Sequence, residues 1–494
     1  MRQSAQTAAD VRNNLAENLD WHFAERNDKI VAQSLHQGQP VDAVHTLDEA
    51  GLLDGFFAFL RELHILEHWQ TFTIEQVYRV FLPAIYFVLL YGTRILFGIS
   101  STNALPTLLF SDVAVMMLVG FNAYLVEHGM TRRGAAQRTG AQPYVLMDPQ
   151  TLASTICKAS AVALADLFNG TIQLLAAAHV FPAWMMAAVD GTQIPTTRRY
   201  RGCGQLAVTR RKRQRDGSWL TFVELVFGWR LIALVDLATL IPVAIKIVPI
   251  QEQESPHLLA LLAQAQHNLA SYSRITSLVV DRAYVDGPTL YQVHQQGIIW
   301  YLIAKSNMDA RHTALALSAE GTAQERITHV RHGHGRDAWV EEVRTTMIPV
   351  SGIRTWSAYR PELPAGERLA FADRPALNAI VIKLWQNTLP DPATGPWVIL
   401  TNGAVNAPWT PVDAYDDRSW IENGLFRNSK QFWTLTRWFP EKTAEGVQAH
   451  LTFVMLMLAT ATAYRLWDKA HTEGPPTTLA HLACAVPPVT NPDP

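Results

Sequence analysis

Three carboxylates stand out by where they fall. Asp190 closes a short apolar run, Met185-Met186-Ala187-Ala188-Val189, and is followed by Gly191 and Thr192. Asp281 closes a second apolar run over residues 275–280, and Glu422 lies in a downstream stretch with helical spacing over residues 417–438. Clustered carboxylates repel one another, and a divalent cation such as Mg2+ relieves that repulsion while taking hard oxygen ligands. Two such ions, with Mn2+ as a possible substitute, can activate an attacking oxygen and stabilise a leaving oxygen in an in-line displacement at a phosphodiester. Each residue also has an ordinary reading. Asp190 fits a turn, Asp281 a helix cap and Glu422 a surface helix position. What favours the chemistry is the combination of two strand-end aspartates with a glutamate-bearing helix downstream.

The helical stretch adds cations and an anchor. Arg418 and Glu422 are four apart, so they share a helix face, and Tyr415 precedes them by one turn. Lys430, farther along, is placed to reach a backbone phosphate, while Trp420, Ile421, Leu425 and Phe426 supply a buried side. The ordinary alternative is an exposed ion pair between Arg418 and Glu422. A second group of cations follows Asp190. Residues 198–215 hold Arg198, Arg199, Arg201, Arg210, Arg211, Lys212, Arg213 and Arg215 and no acid, against a whole-chain net charge of -2. Such a local field attracts phosphate, and Asp216-Gly217 favours a hairpin there; a solvated charged hairpin is the plain alternative. Contacts of this kind position a phosphate backbone without reading any sequence.

The elements that must position these groups follow from pattern. Residues 1–180 read as an all-helical region, with runs over 48–70, from Ser111 to His128, and from Asp148-Pro149 to Asn169-Gly170. From residue 181 the texture changes to strand, strand, strand, helix, strand, helix, strand, ending near residue 305. Within it, residues 222–250 read as adjacent strands interrupted at Gly228 and at 236–239. A meander feeding right-handed crossovers gives an α/β fold, a mixed sheet with flanking helices in the order of an RNase H-like core. In that order the first and fourth strands are neighbours, so Asp190 and Asp281 converge. Residues 306–396 form a β-rich insertion, 397–470 return to the core with the Glu422 helix, and 471–494 form a flexible tail.

The segment YDDRSWIENGLFRNSKQ resembles the tyrosine-arginine-glutamate-lysine signature of bacterial insertion-sequence DDE transposases, in the class with a β-rich insertion before the glutamate. AAVDGTQIP is similar to that family's first-aspartate motif and SLVVDRAYVDG to its second. The resemblance spans roughly residues 185–465. It implies metal-dependent cleavage of transposon ends and strand transfer into target DNA by cut-and-paste, or a DNA-binding descendant that has lost cleavage. By residue it implies metal ligation by Asp190, Asp281 and Glu422, with Tyr415, Arg418 and Lys430 near the DNA backbone. The family places six residues between glutamate and lysine, whereas seven separate Glu422 from Lys430 here. On an ideal helix the extra residue turns the lysine by about 100°. Ser429 then takes the usual position, and Arg427 is a possible substitute. Relatives with this insertion can use a hairpin intermediate with a flipped base, for which Trp339, Trp356 and Trp385 are candidates beside ordinary packing roles. A homodimer on double-stranded DNA is expected, because two ends must be synapsed.

Composition sets the outer bounds. Hydrophobic residues make up 49% and charged residues 17%, the balance of a globular chain of two or three units. Three widely spaced cysteines, Cys157, Cys203 and Cys484, form neither a disulfide framework nor a zinc motif, which fits a reducing cytoplasm; the resemblance implies that this is a bacterial cytoplasm, with the protein at the nucleoid. His329, His332 and His334 alternate without a carboxylate or thiol partner and read as solvent-facing strand residues. The N-terminus has no apolar core for a secretory signal, and the uncharged run 80–93 is short for a span, so a buried helix is expected there rather than a membrane segment.

Overall fold

The computed structural model describes residues 33, 35–38, 51–74, 82–121, 126, 146–214, 217–333, 338–356, 375–386, 389–390 and 395–471. The N-terminal twenty residues, the tail from 474, Arg215, Asp216, His334 and Cys484 lie outside the described residues, as does most of the stretch 121–128 expected to be helical.

Strand β1 (Trp184–Thr196) lies between β3 (Trp219–Asp236), antiparallel to it, and β5 (Arg274–Val280), parallel to it. β4 (Pro242–Pro249) pairs on the far side of β3, and β6 (Ile299–Ile303) pairs parallel to β5. The order β4-β3-β1-β5-β6 is an antiparallel meander followed by two parallel crossovers, as an RNase H-like core requires. Gly228 does not interrupt the meander. At φ 152 it lets β3 run straight through, and a Cβ there would stand 2.1 Å from the Ile194 carbonyl oxygen. The break falls, as expected, at 236–239, where the Asp236 carboxylate accepts from the Thr239 amide and hydroxyl.

The β-rich segment adds to this sheet rather than forming a separate one. β7 (Gln324–His332), β8 (Trp339–Ile353) and β9 (Leu377–Gln386) form an antiparallel meander, with the two-residue β10 (Leu389–Pro390) pairing on β9. β9 joins β11 (Trp397–Thr401), which pairs with β6. The result is one eleven-stranded sheet with β2 (Gly204–Arg213) at the opposite end.

Helices α1 (Gly51–Glu62) and α2 (Ile65–Gln70) are broken apart at His64, whose φ of 56 ends the helical path. α3 (Ala84–Leu96), which takes up most of the uncharged run and continues past it through Arg94, is buried in protein along almost its whole length. α4 (Leu105–Leu108) is one turn, and α5 (Val113–Val119) starts with Asp112 accepting from the Val115 amide and stops at left-handed Gly120. The run opened by Asp148-Pro149 is two helices, α6 (Pro149–Ile156) and α7 (Ala161–Ala177), because Ser160 begins a new one by accepting from the Ala163 amide. α8 (Leu258–Leu269) and α9 (Gly287–Gln295) are the crossovers, and α10 (Asp309–Leu317) is a helix not expected in the insertion.

The last helix, α13 (Ala444–His471), is apolar on all sides, the mark of a helix inside a core. It is the one described helix long and apolar enough to cross a membrane, yet 94% of that apolar stretch is buried in the protein. α1, α3 and α7 pack on it, so the N-terminal helices and the sheet share one continuous hydrophobic core. A buried polar group ties them together. Arg94, 1% exposed, donates to the carbonyls of Ile99 (3.1 Å) and Trp438 (3.0 Å). The Tyr91 hydroxyl meets His450 Nδ1 at 2.9 Å, and His450 Nε2 meets the Thr434 carbonyl at 2.9 Å. That carbonyl requires a proton on Nε2, so Nδ1 accepts from tyrosine. Burial, reinforced by the Arg94 charge, pushes His450 down to about 3 and keeps it neutral.

Candidate active site

The register of β1 on β5 determines where the two aspartates sit. Val189 pairs with Val280, so the next residue on each strand, Asp190 and Asp281, emerge side by side at the same sheet end. Asp190 Oδ1 accepts from the Gly191 amide at 2.9 Å, and Asp281 Oδ1 from the Arg282 amide at 2.6 Å. Asp281 therefore does cap the short turn Arg282–Tyr284, and it does so while keeping its place beside Asp190.

The glutamate-bearing element starts earlier and ends sooner than its pattern suggests. It runs as α11 (Trp409–Trp420), a π-helical turn (Ile421–Phe426) and α12 (Arg427–Gln431). From α11, Arg418 reaches both aspartates, with Nη1 at 3.1 Å from Asp190 Oδ2 and Nη2 at 3.8 Å from Asp281 Oδ1. Its guanidinium also lies 5.3 Å from the Tyr415 ring centre. Arg418 is thus turned inward to the carboxylates rather than outward to solvent.

The π-helical turn accounts for the odd spacing of Lys430. A π turn takes up one more residue than an α turn. Seven intervening residues then advance the helix as far as six would in a regular one, and the rotation of about 100° is cancelled. Side-chain environments agree. Ser429 is fully buried and donates to the Leu425 carbonyl at 2.7 Å, so it faces the core. Lys430 is half-buried, and burial lowers its pKa, against the opposing pull of Glu422 and then Asp190. Arg427 is exposed on another side.

Burial dominates the electrostatics of the site. Burial is the main reason that Asp190 is pushed up to about 6; Glu254 and Asp281 add to it, while Arg418 and the Gly191 amide oppose it. Burial works against the Arg418 charge, but Asp190, Tyr415 and Asp281 outweigh it and hold its pKa above the ordinary value. Glu254 was not expected. It pairs with Arg230 at 3.2 Å, both largely buried, and lies beside Tyr284 and the Asp190 segment. A Cβ on residue 191 would stand 2.5 Å from its carboxylate, so Gly191 is what admits it. The glycine after Asp190 was the only trace of Glu254 in the sequence, and it does not say which side chain fills the space.

The donor set, all carboxylate oxygens, suits hard divalent cations. Among the described residues no three carboxylate, imidazole or thiolate groups are gathered closely enough to hold one ion, and the Glu422 side chain is exposed. Arg418 stands between the aspartates where positive charge is called for.

The remaining candidates are spread more widely. Arg198, Arg199 and Arg201 lie in the loop after β1, where the Arg201 amide donates to the Lys442 carbonyl at 2.9 Å. Arg210, Arg211, Lys212 and Arg213 are exposed on β2, away from the loop. Trp356 is buried edge-on to Trp300, Trp339 is exposed and stacked on His332, and Trp385 falls near the end of β9. His332 has a carboxylate partner after all, Glu341 at 2.8 Å across the β7–β8 pair. Arg326 on β7 forks onto Asp413 of α11 at 2.7 and 3.1 Å and lies 3.8 Å over the Trp409 ring, which ties the insertion to the glutamate-bearing element.

Strand order, paired strand-end aspartates and a following acidic helix define the RNase H-like class to which DDE transposases belong. A family model described as the transposase DDE domain matches residues 186–459, more than half of the chain, and the chain belongs to that family. No curated protein matches it significantly. That family is one of transposition and DNA recombination.

Proposed function

We propose that this chain is an active transposase that cleaves transposon ends and joins them to target DNA by cut-and-paste. The observation that carries the reading is the Val189–Val280 register, which sets Asp190 beside Asp281 under an arginine delivered by the glutamate-bearing element. Asp190, Asp281 and Glu422 would hold two Mg2+ ions, with Mn2+ as a substitute. Bound there, the ions supply charge stabilisation at the attacking and leaving oxygens of the phosphodiester. Arg418 holds the two aspartates in place and screens their repulsion. Lys430, returned to the site's side by the π turn, and Tyr415 contact the DNA backbone. Arg198, Arg199, Arg201 and the β2 cations position the duplex. Two copies synapse two ends.

The reading is tested with purified protein and labelled DNA carrying the element's own termini, in Mg2+, beside Asp281→Ala. Expected is metal-dependent nicking at the terminus by the wild type alone. The dispersed placement of Glu422 favours a second reading, a descendant that binds DNA without cutting it. Binding without cleavage in both Mg2+ and Mn2+ would establish that alternative.

A further inference from the structure

The β2–β3 ribbon leaves the body of the protein. Pairing runs from Gly204↔Gly228 to Arg213↔Trp219, whereas β1 stops at the Thr196↔Phe227 pair. Beyond that point β3 has no second neighbour among the described residues, and the ribbon extends for about 25 Å at the usual rise per residue. Both of its faces are open to solvent.

Its surface is not that of a solvated hairpin. Trp219 (64% exposed), Leu220, Phe222, Val223 (66%) and Leu225 put apolar groups on β3, opposite four consecutive cations on β2. Directly paired residues share a face. Arg211 and Arg213 therefore lie with Trp219 and Val223, while Arg210 and Lys212 lie with Leu220 and Phe222. The acid on this stretch, Glu224, is paired with Arg210. A ribbon that merely rests on a charged surface needs cations on one face. Cations on both faces of β2, with apolar groups beside them on both faces of β3, suit a ribbon standing on edge between two phosphate strands, its β3 edge toward base edges and thymine methyls.

We propose that this arm inserts into the major groove of duplex DNA, whose width of about 12 Å admits a two-stranded ribbon. The inference rests on the transposase reading for the identity of its partner. It assigns the arm a base-contacting role beyond phosphate positioning, and places part of end recognition outside the N-terminal helices.

The test uses the full chain with duplex DNA of the element's own terminus and with an unrelated duplex. Two variants are compared with wild type: Trp219→Ser/Val223→Ser/Leu225→Ser, which leaves every charge, and Arg210→Gln/Arg211→Gln/Lys212→Gln/Arg213→Gln. Both act on exposed positions, and unchanged thermal unfolding confirms that they fold. The apolar variant is expected to bind the terminus about tenfold or more weakly. It should also lose interference from methylation of guanine N7, a major-groove atom. The charge variant should flatten the salt dependence of log Kd by about 3 to 4, at about 0.9 per phosphate contact.

Unchanged affinity and interference in the apolar variant would overturn the proposal. So would variants that dissociate a DNA-free dimer yet bind DNA normally, since the surface would then belong to a second copy. Mg2+-dependent nicking, measured in parallel, separates this outcome from failure of the transposase reading. An arm that binds as described on a chain that never cuts upholds the first and defeats the second.

Discussion

At the scale of single residues, the site depends on how two neighbouring carboxylates are neutralised. Asp190 is largely buried and Asp281 is about a third exposed, with Arg418 serving both. Removing one partner of a buried pair leaves uncompensated charge, though partial exposure moderates the cost. Arg418→Gln is expected to lower stability by about 1–3 kcal/mol without metal, read from urea unfolding. It should also enlarge the stabilisation gained from Mg2+, because the cation then meets no competing guanidinium. An Arg418→Gln protein whose unfolding ignores Mg2+ would show that the aspartates do not bind it. The strand-end positions of the two aspartates and the helical setting of Glu422 were legible in the sequence. Glu254 and the inward turn of Arg418 were not, since both depend on which elements pack together.

At the scale of elements, the π turn at Ile421–Phe426 absorbs the extra residue between Glu422 and Lys430. Deleting exposed Asn423 should convert it to an α turn without moving Lys430 off the site's side. Cleavage is then expected to stay within a few-fold of wild type. Lys430→Ala should lose activity, and Ser429→Lys/Lys430→Ala should not recover it, because position 429 faces the core. Recovery by the double variant would put residue 429 on the DNA side and contradict the π-turn account. A one-residue excess is visible in sequence, but whether a helix absorbs or transmits it is decided by packing. Here Ile421, Leu425, Phe426 and Ser429 hold the buried side fixed. The insertion shows the same limit. Its strands were legible by alternation, while their union with the main sheet through β9 and β11 depends on pairing partners that local pattern does not encode. The break at His64 was hidden likewise, in a run whose apolar spacing continues across it.

At the scale of the whole molecule, one core joins the N-terminal helices, the sheet and α13, and the neutral His450 sits within it. A folded pKa of about 3, below the value near 6.5 of an unfolded histidine, means that the unfolded chain takes up the proton first. Its contribution is therefore full above pH 6.5 and is lost as pH falls toward 3, at up to about 1.4 kcal/mol per pH unit. Between pH 7 and 4.5 the wild type should lose about 2–3 kcal/mol more than His450→Gln in urea unfolding; equal losses would contradict the neutral, buried imidazole. On DNA, light scattering should give two chains per pair of ends, and a complex that stays one-to-one would contradict synapsis by a dimer. The central claim, that Asp190, Asp281 and Glu422 act together on phosphodiesters, is tested most directly by strand transfer from a pre-cleaved end with a free 3′-hydroxyl into a target plasmid. With Mg2+ the wild type should join them, whereas Glu422→Gln should bind the end with unchanged affinity and join nothing. Joining at the wild-type rate by Glu422→Gln, or by wild type in excess chelator, would contradict the account.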